Sequence, residues 1–154
     1  MKKPHFKESG IVNVDFKEEV TIVKPVNLYG CKLGKKVFIG PFVEVQSGVI
    51  IGERTKIQSH SFICELVTIG NDCFIGHGTM FINDLFSNGG PANGKKDLWK
   101  ETTIGNNVSI GSNSTILPVE ICDNVVIGAG SVVTKNINIP GIYAGNPAKL
   151  IRKI

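Results

Sequence analysis

Three polar side chains near the middle of the chain have the types and the spacing of a site that binds an amine or a hydroxyl group. Glu65 and Asn83 are 18 residues apart, and His77 lies between them with Gly76 and Gly78 on either side. A carboxylate beside a carboxamide can hold an amine or a hydroxyl group through hydrogen bonds. An imidazole, with its reference pKa of about 6.5, suits a general base, and the flanking glycines would let other groups approach it closely.

A six-residue period of apolar residues runs through this part of the chain. A large apolar residue occupies every sixth position nine times in succession, and glycine often follows it. An α-helix would repeat at 3.6 residues and a β-strand at 2, so the period indicates short extended sides joined by tight corners. Three such sides make one triangular coil. The nine anchors are Leu33, Ile39, Val45, Ile51, Ile57, Ile63, Ile69, Ile75 and Phe81.

The period resumes after residue 102, which predicts a solenoid with one interruption. Each unit of such a repeat can bury its apolar face only against its neighbours. The step from Ile116 to Ile121 is one residue short and predicts a tightened corner. The second set of anchors is Ile104, Ile110, Ile116, Ile121, Ile127, Val133 and Ile139.

Residues one coil apart should stack on the same edge of the solenoid, about 4.8 Å from each other. Glu65 and Asn83 are then vertical neighbours, whereas His77 stacks on Ser59 along a different edge. Asn83 also begins a long polar excursion, and long loops inside compact domains are usually functional or disordered. The corner of Glu65 and Asn83 is therefore the predicted position of an amine or hydroxyl substrate.

The pattern divides one predicted domain, residues 1–154, into four parts. The N-terminal part should cap the open end of the solenoid, where apolar anchors and strand edges would otherwise be exposed. The tail is expected to be a short basic helix or an extended end. The parts are a cap at 1–25 with a short strand at 20–23, coils at 26–82 and 103–144, an excursion loop at 83–102 and a tail at 145–154.

Composition argues against several classes of partner. Seventeen Lys and Arg residues against thirteen Asp and Glu residues give a net charge of +4, spread along the chain, which is too little to indicate nucleic acid or a membrane surface. We find no stretch of 18 apolar residues and no leader followed by a cleavage site, so we expect a cytoplasmic protein without a membrane span.

Neither cysteine nor histidine spacing indicates a metal site. Four cysteines show no CxxC pair, and Cys73 falls at an inward position, where we interpret it as a small buried apolar residue. A three-histidine site needs three convergent imidazoles. Only His60 and His77 lie in the predicted coils, at different corners, and His5 lies in the N-terminal segment.

The hexads themselves resemble a known repeat. Ile69-Gly-Asn-Asp-Cys-Phe and Ile104-Gly-Asn-Asn-Val-Ser are similar to the hexapeptide repeat of the left-handed parallel β-helix acyltransferases, over roughly residues 26–154. The resemblance implies an all-β, left-handed parallel β-helix. It also implies acetyl-CoA as co-substrate and a homotrimer with each active site between two subunits.

A longer run is more specific. Phe74-Ile-Gly-His-Gly-Thr-Met-Phe-Ile-Asn-Asp84 resembles the corresponding region of bacterial nucleotide-sugar N-acetyltransferases that acylate a 3-amino group. Those enzymes use acetyl-CoA and a dTDP- or UDP-linked amino sugar. The resemblance implies that Asn83 contacts the sugar amine with Asp84 beside it, and Glu65 joins them as a predicted substrate-binding residue.

Two further segments resemble the CoA-binding parts of the same family. They are Ile127-Gly-Ala-Gly-Ser-Val-Val-Thr134 and Ala144-Gly-Asn-Pro-Ala-Lys149. Small residues would let the pantetheine arm lie along the coil, and cationic side chains would contact the CoA phosphates. The predicted cofactor-binding residues are Gly111, Gly128, Ala129, Gly130, Pro147, Lys149 and Arg152.

The predicted function is acetyl-CoA-dependent N-acetylation of a 3-amino sugar on a nucleotide, in surface-polysaccharide biosynthesis. The amine would attack the thioester directly, with Asn83 and His77 as catalytic residues and an amide of Gly76 or Gly78 stabilising the oxyanion. An O-acetyltransferase of the same fold is the alternative, and it would depend on His77 more strongly. A third class, a metal enzyme like the γ-class carbonic anhydrases or a scaffold, would lack affinity for CoA.

Overall fold

The computed structural model describes residues 4–6 and 8–154; residues 1–3 and 7 of the predicted cap lie outside the described residues. Twenty-one strands of two to four residues and one 3-10 turn at Lys96–Leu98 form its regular structure. Within these ranges no helix has the length and apolar character needed to cross a membrane.

The strands form three sheets, in each of which successive coils contribute neighbouring strands. Sheet A contains β1 (Ile11–Val12), β4 (Asn27–Tyr29), β7 (Glu44–Val45), β10 (Phe62–Ile63), β13 (Met80–Phe81), β16 (Thr115–Ile116) and β19 (Val132–Val133). Sheet B contains β17 (Glu120–Ile121), β14 (Thr102–Ile104), β11 (Val67–Ile69), β8 (Ile50–Ile51), β5 (Lys32–Leu33) and β2 (Asp15–Phe16). Sheet C contains β21 (Lys149–Arg152), β20 (Gly141–Ala144), β18 (Val125–Ile127), β15 (Ser109–Ile110), β12 (Phe74–Ile75), β9 (Lys56–Ile57), β6 (Phe38–Ile39) and β3 (Thr21–Ile22).

The chain winds through these sheets as a left-handed parallel β-helix of about 7 turns, so the predicted fold is confirmed. Anchors pair in the expected register: Leu33 lies beside Ile51, and Ile51 beside Ile69. Ile69 then pairs with Ile104 across the excursion. The insertion therefore leaves the stacking of the coils unchanged.

Anchor side chains fill the centre of the solenoid. Those from Leu33 to Phe81 are at most 1% exposed. The residue four positions after an anchor also points inward, and a hydroxyl there donates to a corner carbonyl of its own coil or of the next one. Thr79 Oγ1 donates to the Gly76 carbonyl at 2.8 Å, and Ser131 Oγ donates to the Gly128 carbonyl at 2.6 Å. Each buried hydroxyl thus has a partner, as buried polar groups require.

Three columns of stacked turns join the sheets, and we name each by the sheets it connects. The AB corner comprises residues 30–31, 46–49, 64–66, 82–101 and 117–119. The BC corner comprises residues 34–37, 52–55, 70–73, 105–108 and 122–124. The CA corner comprises residues 40–43, 58–61, 76–79, 111–114 and 128–131. The turn at 145–148 joins two strands of sheet C, but it stacks on the last of these turns and is counted with the CA corner. The excursion loop belongs to the AB corner.

The first coil begins earlier than predicted. Strands β1, β2 and β3 pair with β4, β5 and β6, so the coils start at residue 11 rather than 26. The six-residue period did not reveal this coil because its core-facing residues Ile11 and Phe16, which pair with Leu28 and Leu33, are only five positions apart. With a coil on one side only, these two side chains remain 38% and 48% exposed.

One feature of the C-terminal end differs from expectation. Ile139 is 49% exposed and is not an anchor; Ile137, 5% exposed, pairs with Ile121 instead. The last hexad is shortened, which the six-residue period could not reveal. Of the two predicted forms of the tail, the structure shows the extended one, since β21 runs antiparallel to β20.

Candidate functional site

The AB corner brings Glu65 and Asn83 together as the coil spacing predicted. The Asn83 side-chain amide donates from Nδ2 to the Glu65 backbone carbonyl at 3.1 Å. Because Nδ2 is engaged in this bond, Oδ1 is the side-chain atom that faces outward. Oδ1 of Asn83 accepts no hydrogen bond from any described residue. A carboxamide oxygen is therefore available to a ligand N–H or O–H beside the Glu65 side chain.

The Glu65 backbone ends a chain of hydrogen bonds that crosses neighbouring coils. Its N–H donates to Gln46 Oε1 at 3.2 Å, and Gln46 Nε2 donates to Glu44 Oε1 at 3.3 Å. Tyr29 donates its hydroxyl to the same Glu44 oxygen at 3.0 Å. Burial, followed by the contact with Glu44, raises the pKa of Tyr29, so the phenol stays protonated and keeps donating.

A lysine from the excursion completes this group. Lys96 Nζ contacts Glu65 Oε2, and the same ammonium lies 5.4 Å from the centroid of the Trp99 ring. The Glu65 side chain is 22% exposed and that of Lys96 is 64% exposed. The sequence did not predict Lys96 and Trp99 as site residues, because the loop has no period from which their positions could be inferred.

Asp84 organises the base of the excursion. One carboxylate oxygen accepts the backbone N–H of Phe86 at 2.9 Å, and the other accepts that of Ala92 at 2.7 Å. Lys100 donates its backbone N–H to the Asn83 carbonyl at 2.9 Å and closes the loop. Both oxygens of Asp84, predicted to bind substrate, are thus engaged within the loop, where they fix its shape next to Asn83.

His77 lies at the CA corner, on an edge different from that of Asn83. Its Nδ1 is 2.8 Å from Ser59 Oγ in the coil before, and the Gly78 N–H donates to the Ser59 carbonyl at 2.9 Å. The Asn113 N–H donates to the His77 carbonyl at 2.8 Å. Ser59 therefore orients the ring, and a proton on Nδ1 would leave Nε2 as the basic atom.

The two glycines beside His77 are there for close packing rather than for an oxyanion. A Cβ on Gly76 would lie 2.7 Å from the Ile110 carbonyl, and Gly78 has a φ of +66°. Their N–H groups already donate to the Ile110 and Ser59 carbonyls, so the predicted oxyanion donors are wrong. Within the described chain, the N–H groups of His77 and Ser112 at this corner remain without an acceptor.

The predicted CoA-binding glycines stack directly beyond His77 on the same corner. A Cβ on Gly111 would meet the Ala129 backbone, and one on Gly128 would lie 2.9 Å from the Ala144 Cβ. Ala129 and Gly130 are exposed, and an added side chain at Gly130 would meet nothing within 4 Å. The corner is therefore a flat column of small residues with open space outside it.

The remaining predicted CoA residues follow at the end of the same column. Pro147 is exposed in the last CA turn. Lys149 pairs with Ala144, and Arg152 pairs with Ile142, in the antiparallel hairpin of β20 and β21. Both cationic side chains are exposed. The hairpin thus brings two positive charges close to the glycine column.

One chain does not bring all predicted site residues together. Glu65, Asn83 and Asp84 lie at the AB corner, and His77 lies at the CA corner with the predicted CoA residues. A side of sheet A separates the two corners in every coil. The molecule therefore carries an acceptor-rich half and a small-residue half on different edges.

The other candidate nucleophiles and ligands have structural surroundings. Burial raises the pKa of Cys31 to about 11 and of Cys64 to about 12, and it also raises the pKa of Cys73, so their thiolates are disfavoured. The His60 ring stacks on Phe42, with centroids 4.8 Å apart. Across residues 4–6 and 8–154, no group of three or more His, Cys, Asp and Glu side chains could hold a metal ion.

Two family profiles match the chain. The one described as bacterial transferase hexapeptide (six repeats) matches residues 30–65, and the one described as hexapeptide repeat of succinyl-transferase matches residues 101–135. The bifunctional protein GlmU of Streptococcus uberis is 41% identical over 125 residues, which cover 80% of this chain and 25% of the relative. The chain thus spans about a quarter of the length of the curated relatives it matches.

Solved structures share the architecture. A hexapeptide-repeat-containing acetyltransferase from Vibrio cholerae O1 biovar eltor, complexed with acetyl coenzyme A, is 26% identical, with a TM-score of 0.66 over 80% of this chain and 70% of that one. A perosamine N-acetyltransferase from Caulobacter crescentus, in complex with CoA and GDP-perosamine, is 16% identical, with a TM-score of 0.64 over 94% and 58%. At 16% identity the second likeness concerns the fold alone.

Proposed function

We propose that the chain is a hexapeptide-repeat transferase and that it transfers the acetyl group of acetyl-CoA to the 3-amino group of a dTDP- or UDP-linked amino sugar. The observation that carries the proposal is the outward Oδ1 of Asn83 beside the Glu65 carboxylate. Two acceptors on one corner suit an amine, which has only N–H groups to offer when it is protonated. On the family resemblance, the product would serve surface-polysaccharide biosynthesis in the cytoplasm.

The CA corner supports acetyl-CoA as the donor. Its column of small residues gives a flat surface for an extended pantetheine arm, and Lys149 and Arg152 stand near its end for the phosphates. The Vibrio cholerae relative carries acetyl coenzyme A on a similar fold. The Caulobacter crescentus structure holds CoA together with a nucleotide sugar.

A homotrimer would unite the two halves. Because Asn83 and His77 lie on different corners, a cyclic arrangement can set the AB corner of one subunit against the CA corner of the next. Closed threefold symmetry then makes three equivalent sites, each with acceptor residues from one chain and donor residues from its neighbour.

The chemistry needs positioning more than a strong catalyst. The neutral amine attacks the thioester carbonyl carbon, a C–N bond forms, and collapse of the tetrahedral intermediate breaks the C–S bond. The nitrogen gives up one proton, either to His77 Nε2 or to the departing thiolate. The unpaired N–H groups of His77 and Ser112 are available to the oxyanion.

The test is release of free thiol from acetyl-CoA with a panel of dTDP- and UDP-linked 3-amino and 4-amino hexoses. We expect turnover of a 3-amino sugar and a loss of about 10- to 100-fold in kcat/KM for Asn83→Ala, the scale of a lost hydrogen bond to a charged group. Asn88→Ala, exposed in the same loop and without a side-chain hydrogen bond among the described residues, is the matched control. Silence with every amine, while CoA still binds, would contradict the proposal.

An O-acetyltransferase is the second candidate, favoured by one observation. The bond between Ser59 and His77 fixes an imidazole where a general base is needed, and a hydroxyl needs such a base more than an amine does. The same panel, extended to the corresponding hydroxyl sugars, separates the two activities. Turnover of a hydroxyl sugar that His77→Ala abolishes would favour O-acetylation.

A further inference from the structure

The ion pair between Lys96 and Glu65 places a primary ammonium at the proposed acceptor site. Lys96 begins the 3-10 turn of the excursion and reaches back to Glu65 Oε2. The Trp99 ring lies 5.4 Å from the same ammonium, a distance at which an aromatic face attracts a cation. A carboxylate and an aromatic ring thus surround one ammonium on the corner where Asn83 presents its Oδ1.

The loop does not depend on this ion pair for its shape. Asp84 already binds the N–H groups of Phe86 and Ala92, and the Lys100 N–H closes the base on Asn83. Lys96 is mostly exposed, and an exposed ion pair usually stabilises a fold by little. Its consequence is local: it neutralises Glu65 and covers the corner.

We propose that the Lys96 ammonium holds, in the free protein, the position that the acceptor ammonium of the substrate takes in the complex. The proposal rests on the proposed function and deepens it. The sugar amine arrives protonated and displaces the Lys96 side chain from Glu65, which uncovers the corner. The substrate then loses one proton to the Glu65 carboxylate before the nitrogen attacks the thioester. A sugar with a hydroxyl in place of the amine lacks the charge to displace Lys96.

This place-holder predicts a substitution that improves binding. In Lys96→Met the amine no longer competes with an internal cation, so the dissociation constant and KM for the amino sugar should fall about two- to fivefold, as expected for an exposed ion pair. The hydroxyl analogue, which has no charge to place on Glu65, should remain the weaker ligand in both proteins. Lys95→Met is the matched control, because Lys95 is the neighbouring exposed lysine and forms no ion pair among the described residues.

Trp99 gives a direct optical measurement, since the chain contains one tryptophan. Its emission should change when a 3-amino nucleotide sugar is titrated into the wild type, and the unliganded Lys96→Met variant should already show part of that change. The double variant Glu65→Gln with Lys96→Met should lose the gain in amine affinity, because the carboxylate that receives both cations is absent.

The outcomes separate the two proposals. Suppose that the wild type turns over the amine, but that Lys96→Met binds it no more tightly, or more weakly. That result would overturn the place-holder and leave the proposed function intact. Weaker binding would instead indicate a direct contact of Lys96 with the substrate. Absence of turnover and of binding in the wild type would overturn both.

Discussion

The AB and CA corners grow from the same six-residue repeat but use it in opposite ways. At the CA corner the turns are small and close, so that a Cβ on Gly76 or Gly111 would lie within 3 Å of the next coil's backbone. At the AB corner a long loop is inserted between two coils, and its Lys96 side chain contacts Glu65. One corner thus offers a flat surface and the other offers charged and polar groups.

The BC corner shows what the repeat does when no loop interrupts it. Asn71 Oδ1 accepts the Glu53 N–H at 2.8 Å, and Asn106 Oδ1 accepts the Asn71 N–H at 2.9 Å. Asp123 Oδ1 accepts the Asn106 N–H at 2.7 Å. These polar side chains satisfy the backbone of the neighbouring coil, whereas Asn83 keeps an acceptor free. Polar character at a corner therefore indicates a site only where the neighbouring coils leave an atom unpaired.

The largest effect is expected from two variants that test whether the AB corner of one subunit and the CA corner of the next form one active site. Asn83→Ala removes the acceptor half, and Ala129→Trp fills the open face of the donor half. Each variant alone should be nearly inactive, but mixed trimers refolded from equal amounts should recover about a quarter of wild-type activity, since one interface in four combines two intact corners.

Refolded homotrimers of each variant are the controls, with light scattering as the check on assembly. If each active site were complete within one chain, mixing the two variants would restore no activity. A monomer would likewise remove the interfacial arrangement.

The second prediction tests the close packing of the CA corner. Gly76→Ala places a methyl group 2.7 Å from the Ile110 carbonyl and the Ser112 nitrogen, which are backbone atoms held in the ladder. We expect the free energy of unfolding to fall by about 1–3 kcal/mol, the usual cost of overpacking. Gly90→Ala, where an added Cβ meets nothing within 4 Å, should leave stability nearly unchanged. Equal losses in the two variants, measured by urea unfolding, would contradict this account.

The contrast between corners also explains what the sequence could predict. The period fixed the register, so that Glu65 and Asn83 could be placed as neighbours from their spacing alone. The first coil was missed because its core-facing residues Ile11 and Phe16 are five positions apart and break the six-residue period. Lys96 and Trp99 were missed because an excursion has no neighbour one coil away from which to infer its contacts.

A smaller effect is expected from Ser59, which orients His77 without contacting substrate. Ser59→Ala removes the partner of Nδ1, and we expect kcat to fall about 3- to 10-fold, the scale of one neutral hydrogen bond, with KM for acetyl-CoA unchanged. Ser112→Ala, one coil further on the same corner, is the control and should keep its kcat. If both variants lose the same activity, or if Ser59→Ala raises KM for acetyl-CoA and leaves kcat unchanged, Ser59 does not act by orienting His77.

The smallest effect belongs to the BC corner, where charge serves the fold alone. Arg54 donates from Nε and Nη2 to the two oxygens of Asp72 at 2.7 and 2.8 Å, and this contact lowers the pKa of Asp72 below its ordinary value of 3.8. A depressed carboxyl pKa stabilises the fold above the unfolded-state value, and the stabilisation is lost as the pH falls through the folded-state value. Asp72→Asn should therefore unfold at slightly lower urea concentration at pH 7, and the difference from wild type should vanish as the pH falls through the lowered folded-state pKa of Asp72. Because both side chains are exposed, the difference should also shrink in high salt, and thiol release should be unchanged. If Asp72→Asn lost activity while its stability stayed the same, the BC corner would take part in the reaction. It could then no longer serve as the corner without function against which the AB and CA corners are compared.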